Sequence, residues 1–297
     1  MTSKADTSGA TSVRLEDQHW DVVSRPSGSW WAVDVREIWK YRDLLVELVH
    51  RDLTAIYKQT ILGPLWQLLQ PLLTSLMFAV IFGIMGRMSP ASVPPLLFYM
   101  SGVVPWTFFS GVINKTSVTL TANAALMTKV YFPRLIPPMA TSLSTAVGFL
   151  IQLVFFACFA LVYHFTGAYT GTPGISLLML PVLVLLLVLL AFGAGLVVAA
   201  LTTKYRDLGF LIGFAVQLLM YMSPVIFPLS RVDQGSTIRQ VIEANPLTPI
   251  IEGFRGVLLG TPMEWSTLWY PCVAALVLIL GGLALFQRVE RIYADVV

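Results

Sequence analysis

"RDLTAIYKQTILGPLW", residues 51–66, changes character at its midpoint. Its first half carries Arg51, Asp52 and Lys58; after Lys58 no Asp, Glu, Lys or Arg occurs until Arg87. A charged, helix-like segment that runs without a linker into so long an uncharged one marks a chain entering a bilayer. Crossing the hydrocarbon takes about 20 apolar residues, and every backbone polar group there must be satisfied internally. Charge-free runs recur at 96–113, 135–163, 175–203, 208–229 and 268–286, which with 61–86 makes six. The sequence therefore predicts an all-α integral membrane protein of six transmembrane helices.

The whole chain supports this class. Of its 297 residues 56% are hydrophobic and only 12% charged, and the mean hydropathy is +0.76. Soluble proteins average about a quarter charged residues. The first 34 residues are Ser/Thr-rich, mixed in charge and without an apolar core, so they read as a disordered cytoplasmic tail and not as a signal peptide. Cys158 and Cys272 both fall inside charge-free runs and read as small buried apolar side chains.

Charge placement sets the expected orientation. With both termini in the cytoplasm, 15 of the 19 Lys and Arg lie inside, while Arg87, Arg231, Arg239 and Arg255 lie outside. Without the segment before the first span the inside still leads by seven to four, in keeping with the positive-inside rule. The pI of 8.9 is explained by this bias, and nucleic acid is not an expected partner.

Residues 35–60 precede the first span. Wound as a helix, Ile38, Tyr41, Leu44, Leu45, Leu48 and Val49 gather on one arc and the charged residues on the other, with Glu47 and Arg51 four apart. Such a helix lies along the membrane surface with its apolar arc in the headgroup boundary, and Gly63-Pro64 offers the turn into the bilayer. A solvated helix on a soluble domain is the alternative. A second cytoplasmic segment, 114–134, is too polar to span and too apolar to float; it reads as a short helix shown to a partner, or as a connector. On the other side, 228–267 holds two short apolar runs, 238–244 and 248–259, that suit re-entrant or interfacial helices. Residues 288–297 form a short cytoplasmic C-terminus.

No G-x-x-x-x-G-K-[ST] phosphate loop occurs, so the chain supplies no ATP site of that kind. No Ser/His/Asp or Cys/His set converges: His19 and His50 are placed in the cytoplasm and His164 at an outer loop. Glu243, Glu252 and Arg255 keep a membrane-embedded glycan transferase or ligase open as an alternative. An ion-coupled secondary transporter needs ionisable groups inside its spans, and the six runs contain none. A membrane scaffold leaves the segment 228–267 unexplained.

Six stretches, in order, carry a family resemblance: "RDL…IYKQTILGPLWQLLQP", "GVVPWTFFSGVI", "NAALMTKVYFPRLIPP", "YRDLG", "SPVIF" and "NPLTPIIEGFRG". The chain resembles, over roughly residues 40–260, the membrane (permease) subunit of polysaccharide-exporting ABC transporters, the O-antigen and teichoic-acid exporter (Wzm-type) family. The resemblance implies export of an undecaprenyl-linked polysaccharide across the inner membrane. It implies a homodimer, with two copies of a cytoplasmic ATPase binding ATP and Mg, and neither cofactor held by this chain. It also implies that 35–60 is an interface helix and 114–134 a coupling segment, which assigns ATPase coupling to Arg51, Asp52, Lys58, Ala125, Lys129 and Arg134. Asn245, Glu252 and Arg255 would belong to the outer re-entrant segment.

Two faces are candidates for a substrate path. Tyr99, Gly102, Trp106 and Phe109 share one side of the second span. Their rings would let sugar C–H groups slide past, or would simply pack. Gln67, Gln70 and Thr74 share a side of the first span and would line a path or bond neighbouring helices.

Overall fold

The computed structural model describes residues 35–58, 61–63, 65–169, 171, 174–205 and 207–294. The expected tail 1–34, together with Gln59, Thr60, Pro64 and 295–297, lies outside the described residues. Among those described every regular element is helical. The pre-span segment forms α1 (Val35–Lys40) and α2 (Arg42–Tyr57), separated at Tyr41, whose φ of −98° and ψ of 20° are not helical.

Five helical stretches are long and apolar enough to cross a membrane: Leu65–Met85, Pro95–Ala122, Ile136–Phe165, Ile175–Lys204 and Trp265–Val289. The first is α3 (Leu65–Phe78) running into a widened π-helical stretch, Ala79–Met85. The second is α4 (Pro95–Ala122). After the one-turn α5 (Ala124–Met127) comes the third, α6 (Ile136–Phe165), which starts with Pro137 and Pro138 in its first turn, where a missing N–H costs nothing. The fourth is α7 (Leu180–Lys204), entered through a 3₁₀ turn.

The fifth charge-free run departs from expectation. It forms α8 (Leu208–Tyr221), 14 residues or about 21 Å, short of the roughly 30 Å of hydrocarbon. The helix stops because Pro224 disfavours helical geometry at Ser223, and residues 222–228 continue the path without helix. That stretch still reaches the far end of the molecule, since Val225 meets Gly102 near the start of α4. Two short helices follow, α9 (Thr237–Glu243) and α10 (Leu247–Leu259), and then α11 (Trp269–Ala294).

Two ends result. One gathers Gly83, Phe98, Leu183, Val225 and α10; the other gathers Ile38, Leu135, Leu196 and Phe286. Between them α4 is the central helix, with most of its length buried. The closest crossing joins α7 and α11. A Cβ on Gly193 would sit 2.7 Å from the Ile279 nitrogen, and one on Gly282 would sit 2.8 Å from the Gly193 carbonyl. Small residues of this kind let membrane helices touch backbone to backbone.

The cysteines correct a sequence expectation. Cys158 and Cys272 are free and exposed on the outside of their helices, where apolar surface meets lipid and burial in protein is not needed.

Candidate functional site

The α10 end is organised around one buried cation. Arg255 is 2% exposed. Its Nη1 donates to Glu252 Oε1 at 2.8 Å and to the Phe227 carbonyl at 3.4 Å; its Nη2 donates to the Val225 carbonyl at 2.9 Å. The guanidinium stacks over Phe98, with 4.1 Å from Cζ to the ring centroid. The logic is local. Unwinding at Ser223–Phe227 strips carbonyls of helical partners, and non-helical backbone at this depth is tolerated only where protein satisfies it. Arg255 supplies donors, Glu252 balances the charge, and Gly102 leaves room: a Cβ there would lie 3.1 Å from Arg255 Nη2 and 3.2 Å from the Val225 carbonyl.

Asn245 completes the clamp. Its Nδ2 donates to Ser223 Oγ at 2.8 Å, and its Oδ1 accepts the Leu247 amide two residues on at 3.0 Å, an Asx turn that leads into α10. Nearby, the Tyr169 hydroxyl donates to the Leu259 carbonyl, and burial pushes its pKa above the ordinary tyrosine value. Of the sequence candidates, Asn245, Glu252 and Arg255 thus converge. Their partners at 223–227 were hidden inside what reads as an uninterrupted span.

The aromatic face goes into the core. Tyr99, Trp106 and Phe109 are 0%, 6% and 6% exposed. Tyr99 meets Phe78 and Phe98 edge-on at 6.2 and 5.2 Å, and Trp106 lies 6.0 Å from Phe109. Tyr99 thus packs on α3 as well as on its own helix, and none of the three rings borders the groove between α3, α4 and α6.

Gln67 and Gln70 do border a cavity. A groove of about 260 Å³ lies between α3, α4 and α6, bordered by these two with Asn114, Lys115, Thr145 and Gln152. Gln152 Nε2 donates to the Gln67 carbonyl at 2.9 Å, while Thr74, a turn further on, bonds back to the Gln70 carbonyl at 2.9 Å. Lys115 Nζ donates to Thr145 Oγ1 at 3.2 Å. Lys115 lies just past the charge-free run 96–113, but α4 continues to Ala122, so the spanning helix does hold a cation. Periodicity of the apolar residues cannot show this, because the helix outlasts the apolar run.

At the same end α2 seats its apolar arc on protein. Leu48 clusters with Phe132, Ile136 and Ala140, and Tyr41, Leu44, Leu45 and Val49 pack against that cluster together with Leu126 and Met127. Ile38 joins the neighbouring cluster around Leu135 and Phe286. The expected Glu47–Arg51 pair is replaced: Arg51 Nη2 bonds Asp52 at 2.9 Å. Segment 114–134 is divided. Its first part is the end of α4, capped at Asn123, whose Nδ2 donates to the Thr119 carbonyl at 2.8 Å; only α5 is a separate helix. Ala125 and Lys129 are exposed, as is Lys58 at the end of α2, and Arg134 is half-buried.

The described residues thus form an all-helical domain of the integral-membrane class, with a buried-cation clamp at one end and amphipathic helices beside a polar groove at the other. The family model "ABC-2 type transporter" matches residues 43–259, and the chain belongs to that family. It is similar to an "O-antigen export system permease protein" of Myxococcus xanthus, 25% identical over 262 residues (88% of this chain, 98% of the relative). A Klebsiella pneumoniae protein of the same description is 24% identical over 86% of this chain and 95% of its own length. A "Polysialic acid transport protein" of Escherichia coli is 25% identical over 81% and 91%.

Proposed function

We propose that this chain is the permease subunit of an ATP-driven exporter of a lipid-linked polysaccharide, such as an O-antigen or teichoic-acid-like glycan. The observation that carries the reading is its relationship, over 81–88% of its length, to permeases named for O-antigen export and polysialic acid transport. In this reading both termini are cytoplasmic, the α10 end faces outward, and two copies act together. Two copies of an ATPase subunit supply ATP binding, Mg binding and hydrolysis.

The α2 end suits transmission of force. α2, α5 and the start of α6 share one apolar cluster, so a push on the exposed residues Ala125, Lys129 or Lys58 moves them as a unit. Arg51, Asp52 and Arg134 flank that surface. The test is reconstitution in proteoliposomes with the partner ATPase. ATP-dependent transfer of undecaprenyl-linked glycan that needs both proteins is the expected result. Magnesium-dependent ATP hydrolysis, or glycan transfer between acceptors, by this chain alone would overturn the reading.

A further inference from the structure

Among the described residues, the four arginines at the α10 end are of two kinds. Arg239 and Arg255 each hold a carboxylate, Glu243 at 2.7 Å and Glu252 at 2.8 Å. Arg87 and Arg231 are exposed, and among the described residues neither forms an ion pair, Asp233 near Arg231 included. They nevertheless lie together, because Arg231 Nη2 donates to the Arg87 carbonyl at 3.2 Å. Arg87 holds that place at φ 49°, in the left-handed region that non-glycine residues seldom take. Two neighbouring cations without a counter-charge repel each other and leave a place for an anion.

An apolar pocket of about 300 Å³ adjoins them, bordered by Tyr221 and Met222 at the end of α8, by Phe227, and by Ile238 and Val241 of α9. Arg231 follows Phe227 closely, on a turn that α9 ties down: Arg239 Nη1 donates to the Leu229 and Val232 carbonyls at 3.2 and 3.0 Å. The floor of the pocket lies within the hydrocarbon. Val225, between Met222 and Phe227, meets Gly102, about 10 Å along α4 from its start at Pro95. Its roof lies at the surface. The Tyr270 hydroxyl donates to the carbonyl of Ala244, just after α9, and Trp269 beside it is exposed; exposed aromatic residues at the end of a span mark the interface. Ile238 and Val241 are exposed at that level.

We propose that this end binds one anionic phospholipid of the surrounding bilayer, with an acyl chain in the α8–α9 pocket and the phosphate on Arg231 and Arg87. Depth, charge and size agree on that occupant. An apolar pocket whose floor is in the hydrocarbon and whose roof is at the interface opens where acyl chains are. The guanidiniums offer paired donors at the level of the headgroups, and guanidinium matches phosphate geometry. One turn of an α-helix, about 10 Å wide and about 5.4 Å high, takes roughly 420 Å³, so a partner helix does not fit while a stretch of one acyl chain does. A phosphate between Arg87 and Arg231 would join the end of the first span to the turn before α9, so the lipid fastens that end of the molecule. The site belongs to the bilayer around the chain and is independent of the cargo exported.

Lipid binding to the purified full chain in detergent, read by native mass spectrometry, tests the site. The probes are dioleoyl phosphatidylglycerol, dioleoyl phosphatidylcholine, dioleoylglycerol and glycerol 3-phosphate. The wild type should hold one phosphatidylglycerol per chain about tenfold or more tightly than either other lipid, the worth of one charge-assisted hydrogen bond. Combining Arg87→Gln with Arg231→Gln should erase that preference, while Arg231→Lys keeps most of it. Val241→Trp, which fills the pocket from an exposed position, should weaken phosphatidylglycerol and dioleoylglycerol alike and leave the melting temperature unchanged. Unchanged phosphatidylglycerol binding in the folded double variant, or in Val241→Trp, would overturn the site. Dioleoylglycerol bound as tightly as phosphatidylglycerol would overturn the headgroup assignment. Glycerol 3-phosphate bound as tightly as the lipid would overturn the lipid and leave a free-anion site. Efficient disulfide cross-linking of two chains in membranes through Val241→Cys, with Cys158 and Cys272 replaced by serine, would overturn it in favour of a second copy. None of these outcomes bears on the export reading.

Discussion

The two ends of α4 treat charge in opposite ways. Near its start, Phe98 and Gly102 frame Arg255, whose guanidinium is held by a carboxylate, two carbonyls and a ring, leaving only its Nε unpartnered. About 25 Å further along the helix, Lys115 is exposed at the other end and donates to the Thr145 hydroxyl at 3.2 Å. A buried charge that is paired on several sides is there to hold backbone together. An exposed one at a helix end keeps its solvent and needs no such set of partners. The comparison teaches that the α10 end is built as a clamp, while the α2 end leaves its charges at the surface.

The clamp gives the largest expected effect. Removing one partner of a buried ion pair costs about 3–5 kcal/mol because the other groups are left unsatisfied. Arg255→Ala should therefore unfold the permease well below the wild-type temperature in detergent, and Arg255→Lys should restore only part of the loss. An Arg255→Ala protein that melts with the wild type would break the contrast between the two ends.

Next in size is Trp106→Ala. In a bilayer the unfolded reference also sits in an apolar medium, so the loss is mainly packing and cavity, roughly 2–3 kcal/mol. The amount of folded protein in the membrane should fall, with export per folded molecule unchanged. A selective fall in export per molecule would return the aromatic face to the substrate path.

These cases show what was legible in the sequence. The charge-free runs revealed the spanning segments, because length and the absence of charge are what the bilayer demands. The amphipathic arc of 35–54 showed which residues of α2 seek an apolar surface, though it could not say that the surface is Phe132 and Ile136 rather than lipid. Periodicity put Tyr99, Trp106 and Phe109 on one face but was silent on its direction, since in a membrane protein both the core and the exterior are apolar. The break after Tyr221 was hidden because Ser223–Phe227 is as uncharged as the helix it interrupts, with Pro224 the one warning. Asn245, Glu252 and Arg255 were visible as a polar island; their shared partners were not, because these lie more than 15 residues away in the chain. Lys115 was passed over because it sits two residues beyond a charge-free run.

A smaller effect belongs to Tyr169, at the clamp end. Tyr169→Phe removes one hydrogen bond to the Leu259 carbonyl, worth about 1 kcal/mol. Because burial raises the pKa of this phenol, its contribution is present in full below the ordinary tyrosine range and is lost as pH rises through the folded value. Melting curves of the wild type should show that alkaline loss, and those of Tyr169→Phe should show less of it. Identical alkaline slopes would count against the bond.

The smallest stability effects are expected at the α2 end. Ala125 is the second residue of the one-turn α5, where proline is tolerated, and Lys129 is exposed, so Ala125→Pro and Lys129→Glu should each stay within about 0.5 kcal/mol of wild type. Lys129→Glu should nevertheless reduce ATP-driven glycan transfer in proteoliposomes, because it reverses charge on the proposed ATPase-docking surface. Full transfer by that variant would move the docking surface elsewhere.

The proposed export function places a lipid-linked glycan on the inside of the membrane before this chain acts and at the surface afterwards. Its most direct test is depletion of the protein from its own cells, followed by quantifying surface glycan and lipid-linked glycan on the cytoplasmic side. The account predicts that surface glycan falls while undecaprenyl-linked glycan accumulates inside, and that re-expression reverses both. Unchanged surface glycan, or its loss without any accumulation inside, would contradict it.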